Sequence, residues 1–451
     1  MDEEMLVSFP ALFECLQQDQ LNEFRDIFFD LHVYEQGQFY LSLDAEDRQK
    51  LYTYLSPQEM ANMFDVIEED QEDVDQLLKE MDPNYASDML TFMFTDNAVD
   101  TLNQLDKKDV SMYLSIMEPE SAKEIKNLLH YEDDTAGSIM TTEYVAVEAE
   151  QTVASALQYL KKVGREAEII YYIFVTDEDG FLVGVISLRD LIVSDEEELI
   201  KDVMSERVVS VKVGDDQEDV ARMIRDYDFL AMPVTDYRNR LLGIITVDDI
   251  IDVIDEEAAS DYSGLAGVDV EEVADNPFQS AAKRLPWLVT LLVLSMSTAT
   301  LIGHYEALVS KASILAVFIS LITGTAGNAG TQSLAVAVRR LALQANDRSF
   351  FRLILAEILT GLITGLITGF TICVLVGVWK QNFMLGFVIG FAMMCAITVA
   401  NLAGSLIPMV MDKLGFDPAV ASGPFITTLS DLTSVLIYFN IAGIFMQYFI
   451  K

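Results

Sequence analysis

The sequence predicts a multidomain protein: an α-helical superhelix, an α/β pair built from one repeated unit, and an all-α polytopic membrane domain with five transmembrane helices. Charge is the first observation. Of 72 Asp plus Glu and 29 Lys plus Arg, about 6 acidic and 10 basic residues follow Ala281, so an acidic front precedes a mildly basic tail. The second is that 51% of the 451 residues are hydrophobic despite a net charge of -43, which implies two solvents rather than one globule. The third is a repeated order of strands and helices within residues 133–255.

Residues 1–132 read as an acidic helical domain. Leucine, methionine and phenylalanine recur at three- and four-residue intervals in LYTYLSPQEMANMF, VDQLLKEM and AVDTLNQL. Helix starts are readable at Ser56-Pro57, Asp82-Pro83 and Glu118-Pro119, because proline suits the first turn and an acceptor precedes it. Short amphipathic helices need neighbours to cover their stripes, hence the superhelix. Asp96 and Asp100 are four apart and share a helix face. They are either a solvated acidic face or part of a cation site.

Residues 133–255 hold the repeat, in copies at about 133–197 and 198–255. SIMTTEYVAVEAEQTVASAL answers to DVMSERVVSVKVGDDQEDVARMI, and YIFVTDEDGFLVGVISLRDLI to AMPVTDYRNRLLGIITVDDII. Each copy reads strand, helix, strand, turn, strand, helix, with turns at Asp179-Gly180 and Arg238-Asn239. The arrangement resembles a tandem pair of CBS domains. That resemblance implies adenine-nucleotide binding, with Ser187 and Asp190, and Thr246 and Asp249, at the ribose positions. Each pair equally fits a helix N-terminal cap, and both readings stand at this point.

Residues 256–282 connect the repeat to the tail as a plug helix. Asp248, Asp249, Asp252, Asp255, Glu256, Glu257 and Asp261 crowd into the approach to it, and on a helix 248, 252 and 255 share a face. Such a face is tolerated if solvated or bridged by a divalent cation. Carboxylate oxygens with no His or Cys among them suit Mg2+ or Ca2+ rather than Zn2+ or Cu2+.

Residues 283–451 contain spans at about Leu285–Tyr305, Ser313–Val338, Leu353–Trp379, Phe383–Val410 and Pro418–Tyr448, each long enough to cross a bilayer. Lys283, Arg284, Arg339, Arg340, Arg348, Arg352 and Lys413 flank one side; Lys311, Lys380 and Lys451 flank the other. The positive-inside rule therefore puts the acidic front in the cytoplasm and the C-terminus outside a cell membrane. The opening MDEEMLVSFP has no basic n-region, so no signal peptide is expected. Cys15, Cys373 and Cys395 form no CxxC spacing and support neither disulfides nor a thiolate metal site.

Polar residues inside these spans carry the functional expectation. TGTAGNAGTQS in the second span, with Gly324, Gly327, Asn328, Gly330 and Gln332, would allow close helix approach and leave amide and carbonyl dipoles lining a wet path, where irregular or polar backbone is tolerated. Gly361, Gly365 and Gly369 in the third read as helix packing, and Glu357 there lies about one turn from Arg352. The fourth carries Asn401. The fifth, SGPFITTLSDLTSVLIYFNIAG, carries Asp431, whose placement at a bilayer centre costs about 2.5–3.5 kcal/mol and so marks a functional position.

GNAGTQ, the KRLPW entry, the SGPFITTLSD run and the helical-plus-repeat front together resemble the MgtE family of bacterial magnesium channels over nearly the whole chain. The resemblance implies a homodimer in a lipid bilayer, with Asp431 as the pore carboxylate and Gly327, Asn328, Gln332, Asn401 and Thr428 lining the path. It further implies gating by cytosolic Mg2+ held between the helical domain (Asp96, Asp100) and the 248–261 acids, with ATP as a modulator. Two other functions fit: a divalent-cation transporter coupled to Na+ or H+, and a membrane-anchored nucleotide sensor. An enzyme is not expected, since the histidines are scattered and no nucleophile–base pair or GxxxxGK[ST] loop appears. Nucleic acid is no expected partner.

Overall fold

Of the three expected caps in the front, Ser56 and Asp82 form, whereas the helix at Pro119 starts on its proline with no side-chain cap bond from Glu118. Ser56 accepts from the Glu59 amide while Glu59 reaches back, Asp82 accepts from the Asn84 amide, and proline follows both caps. The computed structural model describes residues 5–67, 74–165, 167–268, 277–342, 350–414 and 422–449. It divides into two units, Met1–Ile254 and Asp255–Lys451.

The first unit opens with α1 (Met5–Gln17), α2 (Leu21–Phe28), α3 (Val33–Ser42), α4 (Ala45–Tyr54) and α5 (Pro57–Phe64). It continues through α6 (Val74–Glu80), α7 (Pro83–Phe92), α8 (Thr95–Asn103), α9 (Lys107–Ile116) and α10 (Pro119–Leu128). Phe24, Phe28, Phe39, Tyr40 and Phe64 are buried at its centre. Arg48 and Glu80 pair through two bonds, at 2.7 and 2.8 Å, tying α4 to α6.

The repeat then forms two sheets of like topology. β1 (Ala146–Glu148), α11 (Val153–Val163), β2 (Tyr172–Thr176), β3 (Leu182–Ser187), α12 (Leu188–Val193) and α13 (Ile200–Val203) make the first copy. β4 (Val211–Lys212), α14 (Gln217–Tyr227), β5 (Ala231–Thr235), β6 (Leu241–Thr246) and α15 (Val247–Ala266) follow. In each sheet the first strand is parallel to the second across its helix, and the second and third pair antiparallel. The hairpin turns bend where expected: Gly180 has φ +83° and Asn239 φ 71°.

The second unit contains α16 (Pro277–His304), α17 (Glu306–Lys311), a 3-10 turn at Ser313–Phe318, α18 (Ile319–Ala342), α19 (Phe350–Trp379), α20 (Phe383–Lys413) and α21 (Gly423–Phe449). Five of its helical segments are long and apolar enough to cross a membrane. The expected fifth span starts at Pro418 and the expected flanking charge Arg348 sits between spans; both lie outside the described residues.

One expectation is corrected here. TGTAGNAGTQS is not irregular: α18 runs through it as continuous helix, which satisfies every backbone group internally. Its glycines act through the close helix approach also expected of them. A Cβ on Gly404 of α20 would sit 2.1 Å from the Gly330 carbonyl oxygen, and one on Gly327 would sit 3.1 Å from Thr427 Cγ2 of α21. Helix α18 is thus packed backbone to backbone against α20.

Two glycine substitutions of opposite sign follow, one at this contact and one in the first unit. Gly404→Val forces α18 and α20 apart and is expected to cost at least about 1–3 kcal/mol, seen as a lower melting temperature in detergent. Gly37→Ala, in the interior of α3 where the new methyl meets Ile67 at ordinary contact of 3.4 Å, is expected to stabilise by about 0.5–1 kcal/mol.

Candidate metal centre and membrane carboxylate

Three carboxylates from three separate stretches converge in the first unit. Asp96 of α8, Glu168 of the α11–β2 connection and Asp249 of α15 each offer an oxygen within 4.8 Å of the other two. Local structure places each acid. Asp96 lies in the first turn of α8, buried to 4% exposure, and its Oδ1 accepts from the Asn97 amide at 2.9 Å. Glu168 is held through its backbone, whose N–H donates to the Glu143 carbonyl at 2.9 Å. Asp249 is fixed by Thr246 at the end of β6, whose amide and hydroxyl donate to Asp249 Oδ2 at 3.2 and 2.5 Å.

Burial comes first among the causes that push all three acids above the usual carboxylate range. Asp249 and then Glu168 add to the effect at Asp96, Asp249 adds to it at Glu168, and Asp248 adds to it at Asp249. Glu168 Oε2 is buried without a hydrogen-bond partner among the described residues. Adjacent buried charges of one sign are stable only with a proton or a cation between them. An all-oxygen carboxylate set of this kind suits Mg2+ or Ca2+.

The expected sensor acids divide. Asp100 does not join Asp96; it lines a cavity with Phe64, Asp65, Ile67 and Asn97. There Asp65 accepts from the Phe94 amide at 3.2 Å and Asn97 Nδ2 at 3.3 Å, and burial pushes it up to about 7. On α15 the expected face of 248, 252 and 255 is not the one that enters the centre. Asp248 and Asp252 are exposed, whereas Asp249 lies on the side of buried Ile250 and Val253. Asp255, Glu256, Glu257 and Asp261 continue along α15 within the second unit, exposed or half-buried. Glu168 was not anticipated. In KKVGREAEII it has no periodicity or capping position to distinguish it from the chain's many other acids.

Both proposed ribose pairs form capping contacts. Ser187 Oγ accepts from the Asp190 amide at 3.1 Å and donates to Asp190 Oδ2 at 2.7 Å, and Asp249 reaches back to accept from the Thr246 amide and hydroxyl. Asp249 therefore belongs both to a cap and to the carboxylate centre.

In the second unit Asp431 is half-buried on α21, and no hydrogen bond or ion pair to its carboxylate is formed by the described residues. The preceding residue, Ser430, packs against α18, where a Cβ on Gly330 would meet its Oγ at 3.0 Å. On α18, Gly324, Asn328 and Gln332, each four apart, are exposed, while Gly327 is buried. Thr428 is half-buried and its hydroxyl donates to the Pro424 carbonyl at 2.9 Å. Asn401 is 8% exposed, and its amide donates to the Glu357 carbonyl and carboxylate at 3.0 and 3.1 Å. Arg340 lies 3.5 Å from the same carboxylate, and the Ser333 hydroxyl donates to the Asn401 carbonyl at 2.8 Å. The Asn401 side chain thus binds α20 to α19, within a polar network that also takes in α18.

An acid with a raised folded pKa holds a proton that the unfolded chain has already released, so stability falls as pH rises between the two values. For Asp65 that window runs from the usual 3.8 to about 7. In chelator, the unfolding midpoint of the first unit should therefore fall from pH 5 to pH 8, and Asp65→Asn should flatten the slope. At pH 8 added Mg2+ should raise the midpoint through the carboxylate centre, and Glu168→Gln should abolish that rise; calorimetry reads both.

Family models match along the chain: MgtE, a divalent cation transporter, at residues 319–441; the MgtE intracellular N domain at 31–134; and the CBS domain at 136–196 and 200–256. The chain is 70% identical over 449 residues to "Magnesium transporter MgtE" of Enterococcus faecalis, covering 99% of each. It is similar to the crystal structure of the soluble part of a magnesium transporter, with 64% identity and TM-score 0.56 over 56% of this chain and 100% of that one. It also resembles the cytosolic domain of the Mg2+ channel MgtE in complex with ATP, with 36% identity and TM-score 0.51 over 54% of this chain and 99% of that one. Sequence, domain order and the helical membrane unit agree: the chain belongs to the MgtE family of magnesium transporters.

Proposed function

We propose that this transporter is a Mg2+ channel for uptake, closed by Mg2+ bound at the Asp96–Glu168–Asp249 centre. The observation that carries the gating is the meeting of carboxylates from the helical domain and from the repeat at one point. With no ion between them the charges repel and favour separation of the two domains; a bound divalent cation favours the joined form. Binding shifts the equilibrium only through higher affinity for that form. The remaining acids of α15, with Asp100, add a diffuse field that concentrates cations.

The path is assigned to the polar line of α18 and to Asp431 of α21. One chain leaves Gly324, Asn328 and Gln332 uncovered, which supports a homodimer whose axis these side chains face. Two Asp431 carboxylates would then meet a largely hydrated Mg2+, an ion that sheds water reluctantly. The basic residues beside the spans support a cytoplasmic front and an external C-terminus. Entry down 100 mV is favourable by about 4.6 kcal/mol for a divalent ion, so no pump is required. ATP is assigned to the cleft of the CBS pair, supported by the Thr246–Asp249 and Ser187–Asp190 pairs and by the related domain bound to ATP.

Asp431→Asn is expected to reduce Mg2+ flux into proteoliposomes at least tenfold with assembly intact; undiminished flux would remove the carboxylate from the path. Flux that follows an imposed Na+ or proton gradient would show coupled transport instead. In patches, Glu168→Gln with Asp249→Asn should raise the cytosolic Mg2+ that half-closes the channel by about tenfold or more, in line with loss of charged ligands.

A further inference from the structure

We propose that Glu143 is a positioning residue for the metal centre: it caps α8 from the CBS side and thereby holds Asp96 against Glu168 and Asp249 before any cation arrives. The inference rests on the sensor reading above and extends it to a residue outside the ligand set.

Helix α8 has no cap of its own. Its N-cap position is Phe94, which makes no side-chain cap bond, and the Asn97 amide is taken by Asp96 within the helix, which leaves the Thr95 amide in need of an outside acceptor. Glu143, 48 residues away in sequence, supplies one: its Oε2 accepts from the Thr95 amide at 3.4 Å, and its Oε1 accepts from the Thr95 hydroxyl. The same Oε2 accepts from the Thr141 hydroxyl at 2.7 Å and the Thr142 amide at 3.1 Å. The Thr95 and Thr142 hydroxyls also bond each other at 2.8 Å. Thr95 is 4% exposed and Thr141 fully buried, while Thr142 and Glu143 are half-buried.

The consequence lies one residue further on. Thr95 precedes Asp96, so the cap fixes the backbone that carries the first ligand. The carbonyl of Glu143 accepts from the Glu168 amide at 2.9 Å, so the same residue fixes the second. Thr246 fixes the third. An anionic cap at a helix N-terminus is favourable, and it fixes the Asp96 backbone even though its own charge adds to the repulsion at the Asp96 carboxylate. A site assembled in advance binds its ion more tightly because less ordering remains to be done.

The test uses the full-length protein in detergent and reads proteinase K cleavage of the 129–134 connection between the helical and CBS parts, in EDTA and over a Mg2+ titration. Glu143→Ala should raise the Mg2+ concentration for half-protection about tenfold, the loss expected of a charge-assisted hydrogen bond, and should speed cleavage in EDTA. Glu143→Gln should stay within about threefold of the parent, because its amide can accept from the Thr95 and Thr142 amides and donate to the Thr95 hydroxyl. Thr95→Val should shift the midpoint in the same direction and be non-additive with Glu143→Ala. It also serves as the reading variant if Glu143→Ala fails to fold. An unchanged midpoint, or equal damage from Gln and Ala, would overturn the cap, the latter by pointing to long-range charge alone. If the parent shows no Mg2+-dependent protection, the sensor reading fails by itself. The EDTA arm still decides the cap, and equal cleavage of parent and variants there overturns it.

Discussion

Like charges cannot be buried side by side without help, and the first unit is arranged around that constraint. Buried Asp96 meets half-buried Glu168 and Asp249, so the arrangement favours a proton or a cation between them. The hydrogen bonds these acids receive come from neutral amides and hydroxyls rather than from neutralising bases. Thr246 orients Asp249, the Glu143 carbonyl holds Glu168, and the Asn97 amide meets Asp96. No lysine or arginine pairs with these three carboxylates among the described residues. A permanent ion pair would make the contact indifferent to dissolved cations; this arrangement leaves it conditional.

The membrane unit satisfies its polar groups by different means. Helix α18 stays regular through a glycine-rich stretch because Gly404 and Gly330 let two backbones touch. Ser333 and Arg340 of α18, Asn401 of α20 and Glu357 of α19 then form one network beside that contact. In it Glu357 is matched by a base and an amide, the opposite of the carboxylates in the first unit. Asp431 has no such match among the described residues, and the polar line of α18 lies uncovered by its own chain.

Two expectations changed for the same reason. Helical spacing places residues on faces, but it does not say which face a neighbour covers. Asp96 and Asp100 share a face by spacing, yet one enters the carboxylate centre and the other lines the Asp65 cavity. On α15 the acids most regularly spaced remain in solvent, and Asp249 enters because Ile250 and Val253 anchor that side.

The sequence by itself determined the architecture. Proline and capping residues started the helices of the front, the repeat announced two like sheets, and apolar length marked five spans, because each is a local property of composition and period. It also singled out Asp431, since a carboxylate in an apolar run is conspicuous against its neighbours. Tertiary structure decided what local pattern cannot encode: that Glu168, unremarkable in its own stretch, completes a three-acid centre, that Asn401 spends its amide on Glu357, and that α8 takes its cap from Glu143. Each of these depends on contacts between residues far apart in the chain, made when burial of the apolar faces brings their helices and turns together.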